Sequence, residues 1–228
     1  MSIILQLETA TTVCSVALAK DGQVITLKEE QAANIHAASL TVFVQEVMNK
    51  AQLSFTDLDA VAVSKGPGSY TGLRIGVSTA KGLCFALDKP LIGVNTLEMM
   101  ASGFLVENPN FGGLICPMLD ARRMEVYTAV FNHKMEALEY THAKIIDENS
   151  FALNLQSHYV AFIGDGAAKC KTAIGSPNAH FFEQNFNSAK YMSHLALEAY
   201  KAKSFEDVAY FEPYYLKDFV VTQAKAKL

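Results

Sequence analysis

The chain has 228 residues, half of them hydrophobic, and a formal net charge of −4 at pH 7. Only 18% of the residues are charged, which excludes a disordered chain and predicts a globular protein with a sizeable core. The three arginines, Arg74, Arg122 and Arg123, are too few for a basic face that grips phosphates. We therefore expect contact with RNA to be indirect only.

The four cysteines are far apart in sequence and form no C-x-x-C pair, which predicts reduced thiols in a cytoplasmic protein. Lys, Asp or Gly interrupts the apolar stretches well before the length of a membrane span, so no membrane association is expected. The first residues, MSIILQLETATT, show neither the positive region nor the cleavage site of a signal peptide.

The first half of the sequence alternates strand and helix patterns. Asp21-Gly22 is a strong hairpin signal between two apolar, β-like runs. Asp88-Lys89-Pro90 ends the helical pattern that runs to about residue 87. The expected elements are strands at residues 3–8, 13–20, 23–30 and 58–65, and helices at about residues 35–51 and 72–87.

The second half repeats this pattern at a constant offset. Glu8, at the end of the first strand, aligns with Asp120, and the strand that begins at Val13 aligns with the segment from Glu125. Two related βββα halves indicate an α/β protein with two lobes, unless any two three-stranded meanders align this well. We expect a first lobe that carries the interface helices and a second, smaller one. The expected lobes are residues 1–105 plus 188–228, and residues 106–187.

An acidic residue precedes a turn in each half. Glu8, Thr9 and Thr11 belong to a Thr-rich turn of the kind that holds phosphates in actin-like and hexokinase-like ATPases. Such a turn usually has glycine where Ala10 stands, because the backbone must approach the phosphate closely. The turn after Asp120 has no glycine and carries two bulky cations. We interpret both hairpins as vestigial nucleotide loops, and ATP hydrolysis by this chain as the alternative.

A third glycine-rich turn follows an apolar run near residue 163. Gly164, Asp165 and Gly166 stand between this run and the start of a helical pattern. Turns of this kind hold the adenosine end of a nucleotide in the same group of folds. The alternative is an ordinary turn between strand and helix, in which the two glycines only relieve strain.

No motif in the sequence predicts a catalytic residue or a metal site. No two of the six histidines are three or four residues apart, so no helix face offers a histidine pair. No G-x-S-x-G signature occurs, and no cysteine has an adjacent histidine.

Residues 65–76, KGPGSYTGLRIG, lead from an apolar strand into a helical pattern. The glycines require a close approach by another group, either a phosphate or a second backbone. Gly66, Pro67 and Gly68 form the structural loop, and Thr71 is the expected cap of the following helix.

Small residues recur four apart in that helix, and residues four apart share one face. A face of this kind lets a second backbone approach closely. The preceding helix is apolar on more than one face, so its surplus apolar surface needs a partner. We predict a protein–protein interface, with a buried helix pair inside one domain as the alternative. The predicted interface residues are His36, Leu40, Phe43, Val44, Val47, Gly72, Leu73, Gly76, Val77 and Ala80.

Several segments together resemble one family over nearly the full chain. The most specific is VSKGPGSYTGLRIGVSTAKGLCFAL, and LDARRMEVYTAVF is next. With ILQLETATTVCSVAL, GVNTLEMMA, GDGA and EPYYLK, they are similar to the bacterial tRNA threonylcarbamoyladenosine biosynthesis proteins of the TsaB (YeaZ) family.

This resemblance implies an actin-like (ASKHA, ribonuclease H-like) fold of two lobes. It implies a non-catalytic subunit needed to place a threonylcarbamoyl group on N6 of the tRNA adenosine next to the anticodon. The implied partners are TsaD, which carries the metal and transfers the group, and the ATPase TsaE. The resemblance also implies a homodimer when the chain is alone. No cofactor is expected in the chain itself, although a nucleotide at the interface of the complex is possible.

The resemblance offers a test of catalysis in one short segment. In TsaD the segment matching Val94–Met100 reads VNHMEGH, and its two histidines bind the metal. Here Thr96 and Met100 stand at those positions, and neither suits a hard metal ion. This difference implies a catalytically silent copy. The rival interpretations are an active ATPase or phosphotransferase and a glycoprotease-like metallopeptidase.

Overall fold

The computed structural model describes residues 1–32 and 35–217. The described chain forms two five-stranded sheets with helices beside and between them. The strands are β1 Ile3–Glu8, β2 Val13–Lys20, β3 Gln23–Gln31, β4 Ala60–Gly66, β5 Leu91–Asn95, β6 Leu114–Asp120, β7 Glu125–Phe131, β8 Ala137–Ile145, β9 Val160–Ile163 and β10 Ala179–Phe182. The α-helices are α1 His36–Ala51, α2 Tyr70–Leu87, α3 Thr96–Glu107, α4 Ala152–Ser157, α5 Ala167–Cys170 and α6 Ser193–Lys201. Two 3-10 helices span Phe55–Asp57 and Ala189–Met192.

The two sheets have the same topology. The first has the order β3-β2-β1-β4-β5 and the second the order β10-β9-β6-β7-β8. In each sheet the first strand pairs antiparallel with the second and parallel with the fourth, as β1 does with β2 and β4. The predicted duplication and the two-lobe α/β class are therefore confirmed.

Helices cover the first sheet on one face and separate the two sheets on the other. Side chains of α1 and α2 pack with alternate residues of β1, such as Leu5 and Leu7, in one core. A second core joins residues of both sheets to α3, whose Phe104 ring makes edge contacts with Phe111, Phe182 and Phe186. Because this core contains side chains from both sheets, apolar burial holds the lobes together.

The chain returns to the first sheet near its end. The Ser188 hydroxyl donates to Glu29 of β3 at 2.5 Å, and the Ser193 hydroxyl donates to the Gln6 amide oxygen of β1 at 2.9 Å. The predicted lobe boundaries stay a prediction, and part of residues 188–228 lies outside the described chain.

Among the described residues, no helix has both the length and the apolar character of a membrane span.

The predicted start of α2 differs from the structure. Helix α2 begins at Tyr70, and its N-cap is Ser69, whose side chain accepts a hydrogen bond from the Gly72 N–H. The prediction of Thr71 as the cap is wrong, because Thr71 already lies in the first helical turn and is exposed. Near the end of the chain, the 3-10 helix at Ala189–Met192 leads directly into α6, which begins at Ser193.

Candidate functional site

A cleft of about 790 Å³ lies where the ends of the two sheets meet. Its walls come from the first hairpin, from the loop before α2, from the turn between β6 and β7, and from the C-terminal segment. Several predicted residues of the nucleotide loops and of the structural loop meet there. They are Thr11, Pro67, Gly68, Thr71, Asp120 and Asp165, and His36 and Gly72 of the predicted partner surface also line the cleft.

Three glycines of the loop and of α2 lie against the first hairpin of the same chain. A Cβ atom added at Gly68 would lie 2.5 Å from the carbonyl oxygen of Ala10. One added at Gly72 would overlap the carbonyl oxygen of Thr9, and one at Gly76 would overlap the Thr9 side chain. The Thr9 hydroxyl also donates to the Gly72 carbonyl at 2.9 Å. The close approach that these glycines permit is therefore made by the chain's own hairpin.

Gly66 has a different reason to be glycine. Its φ of +116° is a conformation that side chains rarely adopt, and an added Cβ would lie 2.6 Å from the Tyr214 carbonyl oxygen. The Tyr214 N–H donates to the Lys65 carbonyl at 2.6 Å. The peptide bond between Gly66 and Pro67 is cis. The C-terminal segment therefore packs against this loop at Tyr214.

Glu8 is fully buried beneath the first hairpin and does not line the cleft. One carboxyl oxygen accepts the Ala10 N–H at 2.5 Å, and the other has no hydrogen-bond partner among the described residues. Burial raises the pKa of this carboxyl to about 7, against the opposing effect of the bond from Ala10. In this position the Glu8 carboxyl stabilises the turn through the Ala10 N–H and does not reach the cleft.

The second hairpin and the Gly164–Gly166 turn contact each other. Asp165 accepts the backbone N–H of Asp120 at 3.0 Å, and burial raises the pKa of the Asp165 carboxyl. Lys169 pairs with the Asp120 carboxylate and donates to the Glu125 carbonyl at 2.6 Å. Asp120, the acidic residue of the second vestigial nucleotide loop, is thus partly neutralised by a cation of the same lobe.

The two glycines of that turn relieve crowding. Gly164 has a φ of +99°, and an added Cβ would lie 2.5 Å from the Met100 methyl group. A Cβ on Gly166 would lie 2.8 Å from the carbonyl carbon of Leu119. Crowding alone therefore accounts for both glycines, and the nucleotide interpretation of this turn stays a prediction.

The predicted partner residues on α1 and α2 are covered by other parts of the same chain. Because they are buried in the isolated chain, a partner would contact the outward sides of these helices, where Val42 is 50% and Phe85 is 85% exposed. The interface and its residues stay a prediction. The buried set is His36, Leu40, Phe43, Val44, Val47, Gly72, Leu73, Gly76, Val77 and Ala80.

The positions implied to hold a metal in TsaD are also packed in the core. Thr96 and Met100 are both fully buried. The Thr96 hydroxyl has no partner among the described residues, and Met100 contacts Gly164. Within residues 1–32 and 35–217, no cluster of three His, Cys, Asp or Glu side chains could hold a metal ion.

The sequence reasoning missed a group of aromatic and cationic side chains at the cleft. The rings of Tyr70 and Tyr215 are 4.8 Å apart, and the Arg74 guanidinium lies 4.2 Å from the centroid of Tyr70. Lys217 pairs with Glu125 at the start of β7. The EPYYLK segment was the available signal, but only the folded chain shows what it contacts.

The fold and the cleft define the class of this protein. Two sheets of one topology, joined by a shared core and facing each other across a cleft, form an actin-like (ASKHA) two-lobe protein. The solved structure of YeaZ from Pseudomonas aeruginosa superposes with a TM-score of 0.84 and 26% identity, covering 95% of this chain and 100% of that one.

Sequence comparisons narrow the class to a family. The family model of TsaD, the tRNA N6-adenosine threonylcarbamoyltransferase, matches residues 25–225. The chain is 30% identical over 154 residues to the tRNA threonylcarbamoyladenosine biosynthesis protein TsaB of Buchnera aphidicola subsp. Acyrthosiphon pisum, covering 64% of this chain and 68% of the relative. It is 37% identical over 136 residues to TsaB of Bacillus subtilis, covering 60% of this chain. The chain belongs to the TsaB (YeaZ) family.

The match to the Bacillus subtilis relative is partial in length. The chain spans 58% of that protein.

Proposed function

We propose that this chain is a non-catalytic subunit needed for threonylcarbamoylation of tRNA adenosine at N6, next to the anticodon. The observation that carries the proposal is family membership, since the TsaB relatives bear the name of this biosynthesis and the TsaD model spans residues 25–225. The chain would act in the cytoplasm by binding TsaD, with TsaE as a further partner. When alone it would form a homodimer.

Two features of the structure support a subunit without catalysis of its own. Thr96 and Met100 fill the core at the positions implied to carry the metal in TsaD. Glu8 lies below the cleft, and Asp120 is paired with Lys169. Neither hairpin therefore presents a free carboxylate that would position a metal ion beside a phosphate.

The outward sides of α1 and α2 are the surface that we assign to TsaD. Val42 and Phe85 are large apolar side chains left exposed on these helices. A single exposed hydrophobic residue is ordinary, but one on each of two neighbouring helices provides anchors for an interface. Gly72 and Gly76 would then contribute to TsaD binding only indirectly, because they fix the position of α2 on the first hairpin.

The test replaces each exposed anchor by a charged residue and measures co-purification with TsaD. Phe85→Glu and Val42→Glu should each reduce the recovered complex about tenfold or more, because a buried unpaired charge costs more than 1.4 kcal/mol. The melting temperature of each variant should stay unchanged, because both positions are exposed.

Two matched control variants exist on the second lobe. Leu153 is 81% exposed, like Phe85, and Leu138 is 52% exposed, like Val42. Leu153→Glu and Leu138→Glu should leave the complex intact. Full recovery of TsaD with both α-helix variants would contradict the proposed surface, and tight magnesium-dependent ATP binding by the chain alone would favour the rival ATPase.

A further inference from the structure

Residues 206–217 run along the first lobe, with a turn at residues 208–210. The Glu206 N–H donates to the Leu91 carbonyl of β5 at 2.9 Å. Phe211 is buried in the core of the first sheet. The Lys81 ammonium of α2 donates to the carbonyls of Ala209 and Phe211, at 3.1 and 2.9 Å. Backbone bonds and a buried ring therefore fix this part of the segment, which we call the stem.

The stem continues to the mouth of the cleft. The Tyr214 N–H donates to the Lys65 carbonyl at 2.6 Å. The Arg74 guanidinium donates to the Tyr215 hydroxyl at 3.3 Å, beside the ring contact of Tyr215 with Tyr70. All of these contacts are still with the first lobe.

Two residues later the segment reaches the second lobe. Lys217 pairs with the Glu125 carboxylate at the first residue of β7, and its ammonium lies 5.9 Å from the centroid of Tyr127. Residues 214–217 all line the cleft, together with Asp120 and Thr11 on its two sides. The segment therefore crosses the cleft from one lobe to the other.

We propose that residues 206–217 are a strap across the cleft, in which the stem is permanent and the Lys217–Glu125 ion pair is a releasable latch. The difference follows from burial. The stem is held by backbone hydrogen bonds and a buried phenylalanine, whereas both partners of the latch are partly exposed to water, which screens their attraction. Opening the latch frees the second lobe to move away from the first and widens the cleft.

The strap also touches the helix that we assign to TsaD. Arg74 and Lys81 of α2 are held by Tyr215 and by the carbonyls of the stem. A partner that competes for the Arg74 guanidinium would release the Tyr215 hydroxyl, which lies between the stem and the latch. This link would allow partner binding to change the width of the cleft, but the strap itself does not depend on the proposed function.

The experiment measures the distance between the lobes in the full chain by pulsed electron spin resonance. Spin labels are placed at Gln45→Cys on α1 and Lys134→Cys after β7, both exposed, while the four native cysteines are buried. With the latch intact we expect one narrow distance distribution. Lys217→Glu places two like charges at the latch and should make the distribution roughly twofold broader, with a shift to longer distances.

The charge swap separates the latch from a general loss of structure. Lys217→Glu combined with Glu125→Lys should restore the narrow distribution, because it rebuilds the ion pair with its sign reversed. Lys171→Glu, at an exposed lysine of the second lobe, should leave the distance distribution unchanged. An unaltered distribution in Lys217→Glu overturns the proposal. A broad distribution that the swap fails to narrow also overturns it, because the ion pair would then not be the latch.

Discussion

Glu8 and Thr9 hold the first hairpin against the rest of the lobe. Glu8 accepts the Ala10 N–H from below, and the Thr9 hydroxyl reaches across to the Gly72 carbonyl. Both side chains are fully buried. At the residue scale, the side chains of this turn are therefore used to pack and hydrogen-bond the turn within its own lobe.

The buried Glu8 carboxyl should make the stability of the chain depend on pH. Its pKa is raised from 4.5 to about 7 in the folded state, so the folded state binds the proton more tightly than the unfolded state does. This contribution to stability is fully present below about pH 4.5, falls as the pH rises, and is lost above about pH 7. The loss between pH 4.5 and pH 8 should be on the order of 3 kcal/mol.

Urea denaturation of the unchanged chain and of Glu8→Gln at pH 5 and pH 8 checks this expectation. The glutamine keeps the acceptor for the Ala10 N–H and does not titrate, so its free energy of unfolding should fall less between the two pH values. The same fall in both proteins would show that another group is responsible.

Alanine substitutions at Gly72 and Gly82 of α2 should change the stability of the chain in opposite directions. Gly72→Ala should destabilise the chain by roughly 2 kcal/mol or more, because the new methyl group would overlap the backbone oxygen of Thr9. Gly82→Ala should stabilise it by about 0.5–1 kcal/mol, because Gly82 lies in the same helix with nothing within 4 Å of the added atom. Thermal denaturation of the two variants gives the comparison, and equal effects would argue against the hairpin contact.

At the scale of the element, α2 is fixed at its start and along its length. Ser69 caps the helix, Gly72 and Gly76 lie against the hairpin, and Leu73 and Val77 are buried. Its outward side then carries Arg74 and Lys81, which hold the C-terminal segment. One helix therefore positions the hairpin, the cleft and the strap.

The cap of α2 can be tested with two neighbouring hydroxyls. Ser69→Ala removes the acceptor for the Gly72 N–H and should cost about 1 kcal/mol of stability. Thr71→Ala should be nearly neutral, since Thr71 is exposed within the first turn. Chemical denaturation of both variants decides between the two positions, and a larger loss at Thr71 would restore the cap expected from sequence.

At the scale of the whole molecule, duplication gives two similar sheets and a shared core joins them. Side chains such as Ile4, Ile92, Ile115 and Ala161 come from both sheets and meet around α3. The strap adds a second connection on the open side of the cleft. A buried apolar core is a strong connection and an exposed ion pair a weak one, so the lobes would separate first at the latch.

The sequence by itself determined the first four strands, the duplication, the two-lobe class and the family. These depend on local patterns: the bounds of β1 and β2 follow from apolar runs and the Asp21-Gly22 turn, and the family from contiguous segments. Only the tertiary structure decided what approaches the glycines and which faces of the helices are free. Thr9 and Gly72, or Lys65 and Tyr214, are far apart in sequence, and no local pattern states which backbone will pack on a small residue.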